Sequence, residues 1–590
     1  MSRRVKCMGR RAAHLSRRAA HLSRRAERNF PRACAFLADM RARRLRMLSA
    51  TAGVVISAGT LAGTAPPASA SAGQLSIIQD STRVLSDPSG TLATFRALGV
   101  SMVRVIVVWA QIAPDWKART PPSAFAAEDP AAYPAANWAP YDAIVKQASA
   151  DGIALDFTLS GGAPRWAEGP GIPPAALDNL YWAWRPSAVD FGQFVRAVGQ
   201  RYSGTYIPPG QTAPLPRVSF WAIWNEPNFG EDLGPQATNG SAVSVAPGMY
   251  RGLIGQAWSA LQATGHGGDR ILVGEFAPRG MSARATPKRP QGLPGQFAQT
   301  KPLQFLRTLY CVDSAYRELR GAAARAVGCP TTASGSRRFA QNNPGLFHMS
   351  GLADHPYPAN QPPTREISTD PDIAPFPRLA NLEHVIDRVQ RVYGSLRRLP
   401  IYSTEYGYIT HPPNRGSYVS PATAAYYLNW AEYLSWKQPR LKSTMQYLLS
   451  DPPLGSVVPG DGGFASGLEF ADGQEKPSFA AYRLPLYLPV STTRKGRALE
   501  VWGCVRPARY GILDTGSPQS AQIEFAPHSG GAFTTLQTVL VGDPDNCYFD
   551  VRTRFPGSGT VRLAYTYPAG TGGGLAGTTV YSRTVAVTLR

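Results

Sequence analysis

Short apolar runs alternate with amphipathic stretches along the chain from about Leu75 to Pro485. Apolar runs of roughly four to eight residues are typical of buried strands, and apolar positions spaced three and four apart are typical of helices. The apolar runs predict strands at Leu75–Gln79, Met102–Trp109, Ile153–Leu159, Val218–Trp224, Ile271–Gly274, Leu352–His355, Ile401–Thr404 and Met445–Leu449.

A predicted helix follows each strand: Thr91–Leu98, Tyr141–Ala150, Ala188–Tyr202, Pro247–Thr264, Lys301–Arg320, Leu379–Tyr393, Pro421–Trp436 and Pro477–Tyr482. Strands that alternate with helices indicate a parallel sheet, and eight such units are the number that closes a (β/α)8 TIM barrel. The segments after the predicted strands are mostly the long ones. We therefore expect a deep cleft at the face where the strands end.

The pattern changes after Pro485. Residues 498–505, 519–526, 532–541, 547–554, 560–567 and 578–589 alternate apolar and polar positions between Gly, Pro and Asp turns. This alternation predicts an antiparallel β-sandwich. The expected division is a leader over 1–72, the TIM barrel over 73–485 and a small C-terminal β-sandwich over 486–590.

The charge is concentrated in the leader. The net charge is +22, and residues 1–72 hold 15 of the 61 Lys and Arg but only 2 of the 39 Asp and Glu. The rest of the chain has no zinc-finger spacing and no basic–aromatic motif, so we expect no nucleic-acid partner.

The leader contains the pattern of a secretory signal peptide. This pattern consists of a basic stretch at Met40–Arg46, an apolar run from Leu48 to about Leu61 and small residues around Ala70.

That apolar run is too short to cross a bilayer, so the mature chain is expected to be secreted, without an integral membrane segment. The tandem repeat Arg10–Ser16 and Arg17–Ser23 lies upstream of this run, and we expect translation to begin at Met40 or Met47.

Four of the six cysteines lie outside the leader, an even number that suits disulfides in an oxidising compartment. Proximity favours Cys311–Cys329 and Cys504–Cys547, and with no metal-ligand spacing we expect neither a metal nor a cofactor.

Two predicted strands end in a carboxylate. The fourth runs into Asn225, Glu226 and Pro227, and the seventh runs into Glu405. Pro227 should keep Glu226 on extended backbone. Strands four and seven lie on opposite sides of an eight-stranded barrel, so their ends can face each other across its mouth. Two facing carboxyl groups in different protonation states are what glycoside cleavage requires.

The residues around these carboxylates resemble a known group of enzymes. Trp-Asn-Glu-Pro-Asn at 224–228, followed by Thr-Glu-Tyr-Gly at 404–407, resembles the clan A glycoside hydrolases, most nearly family 39 and next the cellulase-like family 5. The resemblance spans the barrel but not the sandwich. It implies that Glu226 is the general acid/base and Glu405 the nucleophile. It also implies that Asn225 binds the sugar 2-hydroxyl.

The same resemblance assigns further positions. It implies that Arg104, His355 and Tyr357 lie near the nucleophile, where Arg104 and Tyr357 would keep Glu405 ionised while Glu226 is pushed toward its protonated form. The clan usually has a tryptophan at the end of strand eight, whereas this chain has Tyr447, which could stack on the sugar in its place.

Three further residues at strand ends are open to two interpretations. Trp109 and Trp166 are candidates for sugar stacking or for loop packing. Glu275 ends strand five and is expected to be either a subsite ligand or an ion-pair partner of Arg279.

The predicted function is a secreted, retaining glycoside hydrolase that acts on a polysaccharide or glycoconjugate. One alternative is a non-catalytic carbohydrate-binding or cell-wall protein on the same barrel, and another is a transglycosylase that uses the same residues. The C-terminal sandwich could contact glycans or the cell wall, or it could support the barrel, which we favour. The sequence does not specify the sugar, the linkage, endo or exo action, or the oligomeric state.

Overall fold

A closed parallel barrel forms the larger part of the computed structural model, which describes residues 73–590 except 175–179, 238–242, 282–296 and 456–462. Within these residues its eight strands are β1 (Leu75–Gln79), β2 (Met102–Val108), β3 (Ala154–Ser160), β4 (Phe220–Ile223), β5 (Arg270–Phe276), β6 (Gly351–Asp354), β7 (Ile401–Ser403) and β8 (Ser443–Tyr447). They pair in chain order, and β1 pairs with β8. The Lys442 N–H donates to the Ile401 carbonyl at 2.9 Å, which brings β7 against β8 and closes the ring.

Helices connect the strands and pack outside them: α1 (Ser81–Ser86), α2 (Pro88–Leu98), α3 (Trp109–Ile112), α4 (Ala135–Asp151), α5 (Ala188–Arg201), α6 (Ala246–Ala263), α7 (Pro302–Leu309), α8 (Gly321–Ala326), α9 (Ala333–Arg337), α10 (Phe339–Asn342), α11 (Pro344–His348), α12 (Leu379–Val392), α13 (Pro421–Trp436) and α14 (Pro477–Arg483). The predicted TIM barrel is therefore confirmed, with all eight predicted strands in place.

The helix predicted over Lys301–Arg320 is wrong in its second half. It ends at Leu309, and Cys311 lies at φ 57°, in the left-handed region where a helix cannot continue. The Cys311–Cys329 disulfide fixes this turn, and the Asp313 carboxylate accepts the backbone N–H groups of Ala315 and Arg317 just beyond it. Apolar spacing alone could not reveal a helix stop set by a crosslink.

Two mostly antiparallel sheets follow the barrel. Their strands are β9 (Leu486–Tyr487), β10 (Thr492–Thr493), β11 (Leu499–Cys504), β12 (Gln519–Pro527), β13 (Thr534–Val541), β14 (Tyr548–Thr553), β15 (Gly559–Thr566), β16 (Thr579–Tyr581) and β17 (Val585–Leu589), with helix α15 (Ala508–Thr515) between β11 and β12. One sheet has the order β14-β11-β9 and the other runs β10-β17-β15-β12-β13, with β16 beside β15. Both sheets contribute to one apolar core. The Cys504–Cys547 disulfide links the end of β11 to the start of β14.

A buried ion pair joins these sheets to the barrel. Arg506, just after β11, donates to both carboxylate oxygens of Glu432 on α13, each at 2.9 Å, and its Nε donates to the Tyr482 carbonyl. The Tyr548 hydroxyl donates to the same carboxylate at 3.0 Å. Truncating one partner of such a pair leaves an uncompensated buried charge. These contacts tie the C-terminal sheets to α13 and α14.

The predicted leader, with its signal peptide, lies outside the described residues. Within the described residues, no helix combines the length and the apolar character needed to cross a bilayer.

Candidate active site

The polar side chains predicted at strand ends meet at the mouth of the barrel. Arg104 lies on β2, Asn225 and Glu226 follow β4, Glu275 lies on β5, His355 and Tyr357 follow β6, Glu405 follows β7, and Tyr447 ends β8. Arg104 is the third residue of β2 and lies deeper in the barrel, whereas the others lie at or just beyond the carboxyl ends of parallel strands. This is the edge at which a barrel brings residues from distant parts of the chain together.

The two carboxylates of Glu226 and Glu405 face each other closely. One oxygen from each, together with a ring nitrogen of His355, lies within 4.8 Å of the others. Retaining glycosidases hold their carboxyl groups about 5–5.5 Å apart, whereas inverting enzymes leave about 6.5–9.5 Å for a water molecule. The oxygen–oxygen separation here is below the spacing that leaves room for a water molecule.

Glu405 is held by two donors, one on each oxygen. The Arg104 guanidinium donates to Oε1 at 2.7 Å, and the Tyr357 hydroxyl donates to Oε2 at 3.0 Å. Only about a tenth of the Glu405 side chain is exposed, and Arg104 is fully buried. Charge-assisted hydrogen bonds from opposite sides fix the orientation of the carboxylate.

Glu226 has a different setting. Its Oε1 accepts from the His355 Nδ1–H at 2.9 Å, and 17 % of its side chain is exposed.

The expectation of extended backbone at Glu226 is wrong. Glu226 lies at φ 36° and Trp224 at φ 67°, both in the left-handed region. β4 ends at Ile223, and Pro227 lies inside a turn in which the Phe229 N–H donates to the Glu226 carbonyl at 2.8 Å. Non-glycine residues in this region are strained, and such strain is concentrated at functional sites.

Glu275 performs neither of the roles predicted for it. It is completely buried, and its Oε2 accepts from Arg104 at 2.7 Å, His355 Nε2 at 2.8 Å and the Thr404 hydroxyl at 3.0 Å. Burial would raise the pKa of Glu275, but Arg104, His355 and Thr404 together lower it. Glu275 is therefore an anion beneath the cleft, in contact with the side chains that hold Glu405 and Glu226.

His355 is a buried cation between three carboxylates. Burial by itself would lower the pKa of His355, but Glu405, Glu226 and Glu275 raise it to about 10. As an imidazolium it donates Nδ1–H to Glu226 and Nε2–H to Glu275.

This protonation predicts a pH dependence of stability. A folded-state pKa of about 10, against about 6.5 in the unfolded chain, gives a stabilisation that is complete below about pH 6.5 and lost as the pH rises toward 10. We expect the free energy of unfolding, measured with urea at several pH values between 7 and 10, to fall less steeply for His355→Gln than for the wild type. His348→Gln, at an exposed histidine, should keep the wild-type slope. Equal slopes for wild type and His355→Gln would contradict the assignment.

The amide of Asn225 has a defined orientation. Its Oδ1 accepts from the Arg104 guanidinium at 2.9 Å, and its Nδ2 lies 3.4 Å from Oδ1 of Asp232. Burial and the neighbouring charge of Glu226 raise the pKa of Asp232 well above its usual range. Arginine can only donate, so the carbonyl end of Asn225 must point to Arg104, and its Nδ2 is the end able to donate to a ligand.

A cleft of about 620 Å³ opens over these residues, and its lining includes Asn225, Glu226, Arg279, Glu405, Tyr447 and Phe464. A cleft of this volume suits a ligand of several hundred cubic ångströms. Tyr447 packs edge-to-face on Tyr357 and on Phe464, with ring centroids 6.4 and 5.2 Å apart. Phe464 is 38 % exposed, so the three rings form a partly open aromatic wall.

Neither of the two predicted tryptophans lines this cleft. Trp109 is completely buried and packs on Phe191, Phe194 and Trp166, so it offers no face to a sugar. Trp166 is half-buried against it, and its indole N–H donates to the Pro114 carbonyl at 3.2 Å. Both belong to the packing of the loops outside β2 and β3.

The sequence interpretation missed Asp232 and Phe464. Asp232 lies seven residues past Asn225, and only its burial beside Glu226 gives it a role. Phe464 was one aromatic among many in the long segment after the eighth predicted strand, and no signal in the sequence distinguished it.

No protein-family model matches this sequence, and no curated protein matches it either. Among solved structures, the chain is similar to a glucosidase from Croceicoccus marinus, with 12 % identity and a TM-score of 0.41 over 83 % of this chain and 95 % of that one. It is also similar to a family 1 β-glucosidase from Thermotoga maritima, with 16 % identity and a TM-score of 0.41 over 68 % of this chain and 86 % of that one. The castanospermine complex of the Thermotoga maritima β-glucosidase gives 15 % identity and a TM-score of 0.42 over 70 % and 96 %. At this level of similarity, the chemistry of the chain has to be inferred from its own side chains.

Proposed function

We propose that this protein is a retaining glycoside hydrolase. The observation that carries the proposal is the pair Glu226 and Glu405, which have carboxylate oxygens within 4.8 Å of each other and different partners. Glu405 lies between Arg104 and Tyr357 and is set up to act as an anion, whereas Glu226 contacts His355 and is more open to the cleft. Two carboxyl groups at short range with unequal surroundings suit a nucleophile and a proton donor.

In the first step, Glu405 attacks the anomeric carbon of a sugar bound between the carboxyl groups. The bond from that carbon to the leaving oxygen breaks, and Glu226 transfers its proton to that oxygen. The product is a glycosyl ester on Glu405. Asn225 supports this step, because its Nδ2 has two N–H groups and only one of them is directed to Asp232, so the other can donate to a sugar hydroxyl.

In the second step, a water molecule attacks the same carbon from the side that the leaving group has vacated. Glu226, now ionised, takes the proton of that water, and the ester bond to Glu405 breaks. Two successive inversions return the original anomeric configuration. The His355–Glu275–Arg104 contacts beneath the pair keep both carboxyl groups in position through these changes of charge.

The wider assignment has separate support. The residue pattern around Glu226 and Glu405 supports clan A, and the aromatic wall of Tyr357, Tyr447 and Phe464 supports a carbohydrate ligand. The two disulfides support an extracellular location. For the C-terminal domain, here proposed to span 486–590 beside a catalytic domain over 73–485, the buried Arg506–Glu432 pair supports a buttressing role.

The test is a panel of fluorogenic glycosides, followed by proton NMR of the first product of whichever substrate turns over. We expect the newly released sugar to carry the anomeric configuration of the substrate before mutarotation scrambles it. An inverted first product would overturn the double displacement, and a lack of turnover on the whole panel would favour the carbohydrate-binding alternative.

A further inference from the structure

Among the described residues, one arginine that lines the cleft has no ion-pair partner. Arg279 lies three residues beyond the end of β5 and lines the cleft with Glu226, Phe229 and Gln299. Among the described residues no carboxylate forms an ion pair with it, and its buried Nε has no hydrogen-bond acceptor. Burial lowers its pKa, and no neighbouring anion offsets that effect.

Three other cations in the segments after β5 and β6 form ion pairs within the described part of the chain. Lys301 forms an ion pair with Asp370, Arg307 with Asp372, and Arg378 with Glu366. The sequence from Arg279 to Lys301 contains five basic residues and no Asp or Glu, so that segment holds no carboxylate partner for Arg279. A half-buried guanidinium with an unsatisfied N–H is costly unless something in the cleft accepts from it.

A guanidinium in this position suits one class of ligand group. Its planar fork matches the oxygens of a carboxylate or a sulfate, to which it can donate two parallel hydrogen bonds. The aromatic wall of Tyr357, Tyr447 and Phe464 can pack against sugar rings in the same cleft. The cleft therefore combines surfaces for the apolar face of a sugar with one uncompensated positive charge.

We propose that Arg279 forms an anion subsite, so that the ligand is a glycan carrying an acidic group, either a uronic acid carboxylate or a sulfate ester, close to the bond that is cleaved. The inference rests on the proposed function, because the same cleft holds Glu226 and Glu405. Arg279 follows the strand next to the one that positions Glu226, and it therefore lies on the proton donor's side of the cleft.

The test measures binding without turnover. Glu405→Gln protein is titrated calorimetrically at low salt with uronic acid tetrasaccharides, with the same tetrasaccharides after carboxyl reduction, and with sulfated neutral tetrasaccharides. We expect at least one acidic series to bind about tenfold or more tightly than its neutral counterpart, and the series that does so identifies the carboxylate or the sulfate. In an added Arg279→Gln background this preference should disappear, while the affinity for the neutral ligand stays within about twofold.

Arg365→Gln is the matched control, because Arg365 is an exposed arginine that does not line the cleft; it should keep the preference. Equal affinity for acidic and neutral glycans, or a preference that survives Arg279→Gln, would overturn the anion subsite. The proposed function fails in a different experiment: wild type that binds acidic glycans through Arg279 but does not cleave them would keep the subsite and remove the hydrolase.

Discussion

Glu405→Gln should lower kcat by about four to six orders of magnitude on any glycoside that the wild type cleaves, with little change in substrate affinity. The substitution keeps the shape of the side chain but replaces the anionic oxygen that attacks the anomeric carbon with a neutral, weakly nucleophilic amide. Removal of an attacking group in other covalent mechanisms costs about this much. Steady-state kinetics on the best substrate of the fluorogenic panel gives kcat, and calorimetry gives the affinity.

The fold should survive this change. Arg104 is fully buried, but it keeps its ion pair with Glu275 at 2.7 Å when the charge of Glu405 is removed. Its cation is therefore not left unpaired, and circular dichroism of the variant should match that of the wild type. Glu475→Gln, at an exposed glutamate, is the control and should keep wild-type kcat. If Glu405→Gln retained kcat within tenfold, Glu405 would not be the nucleophile.

Apolar periodicity was sufficient to predict the barrel. A parallel strand buried on both faces is a nearly continuous apolar run, as in β2 (Met102–Val108), and a helix against it has one apolar face. The pattern failed where other forces set the structure. The Cys311–Cys329 crosslink stops α7, and Arg583 interrupts the predicted strand 578–589 as it donates to Asn429 and to the Leu486 carbonyl.

The candidate site was predictable as far as it consists of polar residues at strand ends. Glu226 and Glu405 stand out because a carboxylate at the end of an apolar run has few structural reasons to be there. Their contact partners could not be predicted from the sequence, because the closure of the barrel decides which side chains meet. Glu275 was expected to be either a subsite ligand or an ion-pair partner of Arg279, but the ring of strands directs it to Arg104 and His355.

The charges beneath the cleft balance in a way that only the folded chain reveals. Arg104 and His355 are cations, and Glu275 and Glu405 are set against them as anions. Asp156 is also buried in this region, and burial together with the charge of Glu275 raises its pKa to about 8, so it is mostly neutral at pH 7. Two buried cations therefore face two carboxylates beneath the cleft.

Glu226→Gln should then lower kcat/KM by about 10²- to 10⁴-fold on glycosides with poor leaving groups and much less on activated aryl glycosides. A leaving group of low pKa departs without a proton, so formation of the ester on Glu405 no longer depends on residue 226. Glutamine retains an oxygen that can accept from His355 Nδ1, so the buried cation keeps its partner. The measurement is kcat/KM across a series of aryl glycosides that differ only in the pKa of the phenol.

The second step supplies a further signature of the same residue. In Glu226→Ala the ester should accumulate, because no base activates the water, and azide, which needs no base, should attack the anomeric carbon and release a glycosyl azide of retained configuration. We expect added azide to raise turnover of an activated substrate for Glu226→Ala, and to leave the wild type and Glu405→Gln unchanged. A loss of kcat/KM that is independent of the leaving group and is not restored by azide would mean that Glu226 supports the shape of the cleft instead of transferring protons.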